Sequence, residues 1–381
     1  MPRAAFPTVP LSRPSFGEEE VDAVRRVLAS GWVAGQGPLT DVLEERWAVR
    51  CGARYAVAVS SCTAALHLAL VALEVGPGDE VLVADYTFPA TGHAVTYCGA
   101  RPVFVDVDAA TGTITADRLD RAVTPATKGV IAVDTFGLAA DYGPLEDWCR
   151  DRGLFLLEDA ACSAGGSYRS RPTGGFGDAA CFSLHGRKGI TCGEGGIVTT
   201  NRIDIAEAVR RLASFGVDSA RRRGSIPGPL TIPVFDGPGF NYRLSEILVA
   251  IALVQLDRLD EIIGRRRQVA RRYQALMSGL PGISLPIEPE GRIHAWQTFA
   301  VTVDESLDRE DVMLGLRAAG VECTIGTYAS HVQPFYGPTA SCPVSADLFR
   351  RQVALPMHAE LSAAETERVA AALAKAVDDG S

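Results

Sequence analysis

From Tyr55 to Thr200 short β-branched apolar runs alternate with stretches of helical periodicity, and this alternation restricts the fold more than any other feature of the chain. Strands are expected at Tyr55–Val59, Glu80–Val83, Pro102–Val107, Gly129–Val133, Leu154–Leu157, Ala179–Leu184 and Ile197–Thr200. Between them Thr63–Leu73, Pro89–Tyr97, Thr115–Ala122 and Pro144–Arg152 are expected to be helices. A strand of nearly unbroken apolar sequence is covered on both faces, and helical crossovers supply the cover. The expected fold is therefore α/β, with a mostly parallel seven-stranded sheet. Ligands collect beyond the carboxyl ends of such strands. Asp159 and the turn Ser61-Cys62-Thr63 lie at two of those ends.

The 381 residues, 47% of them hydrophobic, suffice for more than one average domain. From Ser245 the pattern becomes one long helical stretch, apolar almost all round at Ile247–Val254 and strongly basic beyond about Arg265. An all-round apolar helix is buried against its own chain or a partner. Its basic half leads into a smaller unit, with strands expected around Trp296–Val303 and Val321–Thr324 and a last helix at Ala363–Val377. The expected division is a large α/β domain over residues 1–260, including the N-terminal segment, and a small C-terminal α+β domain over 261–381.

A net charge of −9 presents no basic field for nucleic acid or an anionic membrane. Nine cysteines without a Cys-x-x-Cys pair point to reduced thiols, with neither a disulfide framework nor a metal site. The proline-rich start lacks a signal-peptide core, and the longest apolar stretch, Tyr55–Val75, is interrupted by Ser60, Ser61, Thr63, His67 and Glu74. A cytoplasmic protein is expected.

Two residues carry the chemistry. Lys188, in FSLHGRKGITCGEGG, follows an apolar strand and has glycines on both sides. There it is accessible to a carbonyl and, when partly desolvated, can shed its proton, as a Schiff-base lysine must. Asp159 closes the run LFLLED and would place a permanent negative charge at the mouth of the sheet, where a protonated pyridine nitrogen could meet it. Together they suggest pyridoxal 5'-phosphate (PLP).

The segments SGWVAGQGPLTDVLEERWA, AVSSCTAALHLALVALEVGPGDEVLVADYTFPATGHAV, LLEDAACSAGG, GDAACFSLHGRKGITCGEGGIVTTN, FNYRLSEI, IGTYASHVQPFY and LPMH resemble, in order and spacing, the DegT/StrS family of PLP-dependent sugar aminotransferases. The resemblance runs from Gly17 to about Ala374. It implies the type I aspartate-aminotransferase fold, with Lys188 as the lysine of the internal aldimine and Asp159 as the partner of the pyridine nitrogen. Phe88 matches an aromatic ring stacked on the pyridine face, with Tyr86 as a nearby competitor. Thr63 and Ala64 match phosphate contacts at a helix start, and Ser183 matches a hydroxyl donor. Thr63 as a plain helix cap and Ser183 as a partner for strand-end backbone are the structural alternatives. Asn241 matches an asparagine supplied to the phosphate by the neighbouring subunit, which implies a homodimer with shared active sites. Cys162 departs from the pattern, because the family often has glutamine or histidine there, near the cofactor's 3′-oxygen. A thiol donates weakly, so either that contact is weakened or replaced by water, or the side chain only packs. His185, Arg187, Glu194, Tyr328 and His331 are candidates for binding substrate.

The resemblance further implies transfer of an amino group from L-glutamate to a nucleotide-linked keto-sugar. The form HGRKGITCGEGG looks more like enzymes acting at C4 of a 4-keto-6-deoxy sugar than at C3, and an aminocyclitol acceptor is a further alternative. PLP-dependent sugar dehydratases of the same group replace the lysine by histidine, so Lys188 speaks against that activity. Lys188 with Asp159 also speaks against a non-catalytic regulatory role.

Overall fold

A computed structural model describes residues 9–217, 234–235, 237–337 and 340–379. Its central sheet has seven strands, in spatial order Tyr55–Val59, Gly196–Thr200, Ala179–Ser183, Phe155–Asp159, Thr127–Val133, Glu80–Ala84 and Arg101–Val105. Six of them run in the same direction, and Gly196–Thr200 alone is antiparallel to both of its neighbours. The middle strands are buried along their whole length, as near-continuous apolar sequence requires when helices lie on both faces.

The helix Cys62–Ala72 begins at this sheet's edge. Ser61 caps it, its Oγ accepting the Ala64 N–H at 3.1 Å, so the cap is Ser61 and not Thr63. Gly196 brings the neighbouring strand against that start: a Cβ there would lie 2.4 Å from the Ser61 carbonyl and 2.7 Å from the Cys62 nitrogen.

The expected single helix after Ser245 is two, Glu246–Asp257 and Leu259–Met277, separated by Arg258 at φ −93° and ψ 3°. No proline or glycine breaks it. Instead the Arg258 guanidinium donates to the Ser15 carbonyl at 3.0 Å and Glu20 Oε1 at 3.2 Å, tying the break to the N-terminal segment. Ile247, Leu248, Ile251, Leu253 and Val254 of the first helix remain half-buried in the single chain.

A second, four-stranded antiparallel sheet is ordered Ile283–Ser284, Phe299–Val303, Gln352–Leu355 and Thr324–Ile325. It shares a core with Tyr273 and Met277 of the long helix and with Val369 and Leu373 of the last one. The strand expected at Trp296–Val303 starts only at Phe299. Trp296 instead has φ +50°, in a segment that crosses back to the central sheet. Val321, expected to open a strand, makes a lone parallel bridge to Val9, and the strand follows at Thr324–Ile325. The ring of Trp296 stacks on His294 with centroids 3.9 Å apart, and packing holds a backbone conformation that non-glycine residues seldom adopt. Among the described residues no helix is long and apolar enough to cross a membrane.

Candidate active site

Asp159 ends the strand at the middle of the sheet, and Lys188 lies in the turn that joins the next strand, Ala179–Ser183, to Gly196–Thr200. The Lys188 N–H donates to His185 O at 2.9 Å, and a bridge between His185 and Gly193 closes the loop. This geometry sends the Lys188 side chain back over the sheet, where its Nζ donates to Cys162 Sγ at 3.3 Å. Cys162 is thus a direct neighbour of the lysine amine, which neither sequence-based reading of that thiol foresaw.

Asp159 is 4% exposed. Thr91 Oγ1 donates to its Oδ2 at 2.8 Å and the Ala161 N–H to its Oδ1 at 3.2 Å. Burial pushes the carboxyl upward, opposed by Thr91, Ala161 and the charge of Lys188, and the balance stays upward. The charge of Asp159 is therefore not unconditional, as expected from sequence, and a buried carboxyl with only neutral hydrogen-bond donors is stabilised by a cationic partner. For Lys188 burial is the largest influence and acts downward, but Cys162, Cys62 and Asp159 together carry the amine upward. The expectation that partial desolvation lets the amine shed its proton covers only the influence of burial; the two thiols and the carboxyl beside it act the other way.

Thr63 and Ala64 sit in the first turn of the helix Cys62–Ala72, whose amide groups form a positive end suited to an anion. The Cys62 thiol, pushed well up by burial and by Asp159, faces the same space as Lys188 and Cys162. Phe88 is 64% exposed and meets Tyr328 edge-on, centroids 6.2 Å apart. Tyr86 is fully buried, its hydroxyl donating to Gln352 Oε1 at 2.7 Å and accepting the Thr327 N–H at 3.2 Å, so it offers no free ring face. Ser183 Oγ accepts the His185 N–H at 3.3 Å. Asn241 is exposed, and its Oδ1 accepts from Arg243 Nη2 at 3.0 Å.

Among the substrate candidates, His185 Nδ1 accepts the Arg187 N–H at 3.3 Å, and its Nε2 lies 3.8 Å from Glu194 Oε1. The Arg187 and Glu194 side chains are exposed at the same rim. Tyr328 belongs to a two-residue ladder, Tyr328–Ala329 with Tyr86–Thr87, that joins the second half of the chain to the first. His331 follows. Its N–H donates to Asp85 Oδ1 and its Nδ1 lies against Asp85 Oδ2, both at 2.7 Å. An ionised carboxylate only accepts, so this contact places a proton on Nδ1.

Beneath the site, Glu158 and Asp134 are buried side by side. Glu158 accepts the Gly174 and Phe176 N–H groups at 2.8 and 3.1 Å. Asp134 accepts the Ala140 N–H at 3.0 Å, the Tyr142 hydroxyl at 2.7 Å and the Ser163 hydroxyl at 2.6 Å. Burial, and for Glu158 the adjacent Asp134 charge, drives Glu158 well above the ordinary carboxylate range and Asp134 to about 6. Both folded values are raised, so the folded protein holds protons that the unfolded chain has released, and stability falls as pH rises through this window. In Asp134→Asn the amide oxygen keeps Ala140 and Tyr142, which share Oδ1, while its NH2 takes the place of Oδ2 beside the Ser163 hydroxyl and the carboxyl charge next to Glu158 is removed. The thermal midpoint of this variant relative to the parent is expected to climb between about pH 5 and pH 9, as checked by melting curves. A constant difference across that range would show that the pair carries no shared proton.

Thr91 and Asp85 were not singled out from the sequence, and Ser61 was placed at a strand end without its capping role. A threonine in the first turn of a helix, a serine before one and an aspartate after a strand are common structural choices, so only the fold reveals what they touch.

A family model described as the DegT/DnrJ/EryC1/StrS aminotransferase family matches residues 14–374. The aminotransferase TlmJ from Streptoalloteichus hindustanus is 33% identical, with 98% of this chain and 99% of that one covered and a TM-score of 0.91. DesV from S. venezuelae, solved with a ketimine intermediate, is 32% identical over 95% of each chain, with a TM-score of 0.87. A candidate sugar aminotransferase from Streptococcus pneumoniae, solved in a PLP form, is 26% identical over 98% of this chain and 99% of that one, with a TM-score of 0.91.

Proposed function

Because this chain belongs to the DegT/DnrJ/EryC1/StrS aminotransferase family and is a PLP-dependent sugar aminotransferase, we propose that it moves an amino group from L-glutamate to C4 of a nucleotide-linked 4-keto-6-deoxy sugar. The observation that carries the assignment of roles is the buried carboxyl of Asp159, bonded only to neutral donors, with the Lys188 amine and the start of the helix Cys62–Ala72 around the same space. That donor set suits PLP: a cationic ring nitrogen for Asp159, a carbonyl for Lys188 and a phosphate for the helix start at Thr63 and Ala64. When bound, the cofactor supplies the electron sink for breaking a C–H bond next to nitrogen.

The chain's own residues do the rest. Lys188 holds the cofactor covalently, then takes and returns the proton on the reacting carbon. Asp159 keeps the ring nitrogen protonated, and Thr91 fixes the carboxylate plane. Phe88, with Tyr328 at its edge, covers the ring. Cys162 orients the Lys188 amine, and Ser183 adds a hydroxyl at the strand end. His185, Arg187, Glu194, Tyr328 and His331 line the rim for the donor carboxylate and the sugar nucleotide, and arginine suits both anions.

On this reading the chain divides near residue 260 into domains 1–260 and 261–381. It works as a homodimer, in which Asn241 reaches the partner's phosphate site. The half-buried apolar face of the helix Glu246–Asp257 supports that arrangement, since such a face is stabilised by covering it.

Adding L-glutamate to the PLP-loaded protein is expected to discharge its visible absorption band. A nucleotide-linked 4-keto-6-deoxy sugar is then expected to restore the band and yield the 4-amino sugar. A band indifferent to glutamate would sink the donor assignment. Restoration by a 3-keto isomer or an aminocyclitol precursor, and not by the 4-keto sugar, would sink the acceptor assignment.

A further inference from the structure

Arg266, on the helix Leu259–Met277, is 2% exposed, and among the described residues no carboxylate is hydrogen-bonded to it. Its partners are four main-chain carbonyls. Nη1 faces Trp296 O, Gln297 O and Met357 O at 3.1, 3.2 and 3.1 Å, and Nη2 donates to Lys188 O at 3.2 Å. Its Nε–H has no acceptor among the described residues. A guanidinium kept wholly from water without a counter-charge is unfavourable, and burial pulls it down to about 10. Methionine would fill the volume without that penalty. What arginine adds is a planar fork that spans carbonyls from three separate segments at once.

Among the described residues Arg266 is the only donor to the Lys188 carbonyl. The preceding carbonyl, of Arg187, is held by Gln297 Nε2 at 3.0 Å. The same Gln297 donates its N–H to Phe136 O at 2.9 Å, just beyond the strand Thr127–Val133. Gly137, at φ +102°, follows, and a Cβ on it would come within 2.9 Å of Cys162 O. Arg266, Gln297, Gly137 and Cys162 therefore form a closed circuit of contacts that returns to Lys188, with the 3.3 Å pair of Cys162 Sγ and Lys188 Nζ as its last link.

We propose that Arg266 is a positioning residue for Lys188: by gripping the lysine's main chain from behind it sets where the amine stands relative to Cys162 and Asp159. The proposal rests on the reading of Lys188 as the cofactor's lysine. It also gives the second sheet a route to the site, because the other carbonyls on Arg266 belong to the segments entering Phe299–Val303 and leaving Gln352–Leu355.

The test uses Arg266→Lys and Arg266→Met in the full chain. A single ammonium cannot span the four carbonyls, and methionine reaches none. Capture of PLP by cofactor-free protein, read as borohydride-fixed label on Lys188, is expected to slow at least about tenfold in both variants, since displacing a reacting group by about 1 Å costs as much or more. The rate of the glutamate half-reaction is expected to fall in step, with the KM for glutamate within about twofold of the parent. Folded variants with parental capture and half-reaction rates would overturn the proposal. Loss of the fold in both would also overturn it, by assigning Arg266 to stability alone. Parent protein labelled elsewhere than Lys188 would overturn the underlying reading of the lysine and not the role of the arginine.

Discussion

Lys188→Ala is expected to leave a folded protein that loses turnover by at least about 10,000-fold and no longer fixes PLP under borohydride, since both the covalent tether and the proton carrier vanish together. The chain has three lysines, which makes the labelling decisive. Lys128 lies near the amino end of the strand Thr127–Val133, the end away from Asp159, bonded to Glu74 O and to Asp79 Oδ2, and Lys375 pairs with Asp379 on the last helix. Label on either, with Lys188 unmodified, would refute the assignment. The same variant tests the shared site. Mixed with a chain disrupted at Asn241, itself inactive, it is expected to regain part of the activity, because a hybrid dimer contains one site with both native residues. Verified hybrids without recovered turnover would count against Asn241 reaching across.

Asp159→Asn is expected to bind PLP and fold normally but turn over about a hundredfold more slowly or worse, a loss of about 2.7 kcal/mol in the barrier. The size follows from the site: Asp159 is buried, and among the described residues its hydrogen bonds come from Thr91 and Ala161, both neutral, so the substitution removes the charge and leaves no cationic donor to replace it. The amide oxygen can still accept the Ala161 N–H, and its NH2 can donate to the Thr91 hydroxyl once that hydroxyl turns, so the packing survives while the charge is lost. Turnover within a factor of two of the parent, measured with saturating glutamate and PLP, would remove Asp159 from the chemistry.

Strand and helix placement in the central sheet was legible because burial on both faces writes itself as unbroken apolar runs, and Leu154–Leu157 next to Glu158-Asp159 marks where such a run stops. The second sheet was harder to read. Its strands are short and antiparallel, Gln352–Leu355 carries no periodic signature, and Trp296 takes an αL backbone that no residue preference would suggest. The break at Arg258 was likewise invisible, since it is held by Ser15 and Glu20 and not by a local helix breaker.

By itself the sequence singled out Lys188 and Asp159 as candidates for the chemistry, because residue type, strand-end position and the surrounding motifs are local properties of the chain. Only the tertiary structure decided what surrounds them: Thr91 on the carboxylate, Cys162 on the amine and Arg266 behind the lysine's main chain. These partners lie 68, 26 and 78 residues away in sequence, and their effect depends on ångström-scale distance and on burial. The surroundings of the lysine amine are a matter of the fold in the same way, since burial can be inferred from a pattern but the thiols and carboxyl gathered around the amine cannot.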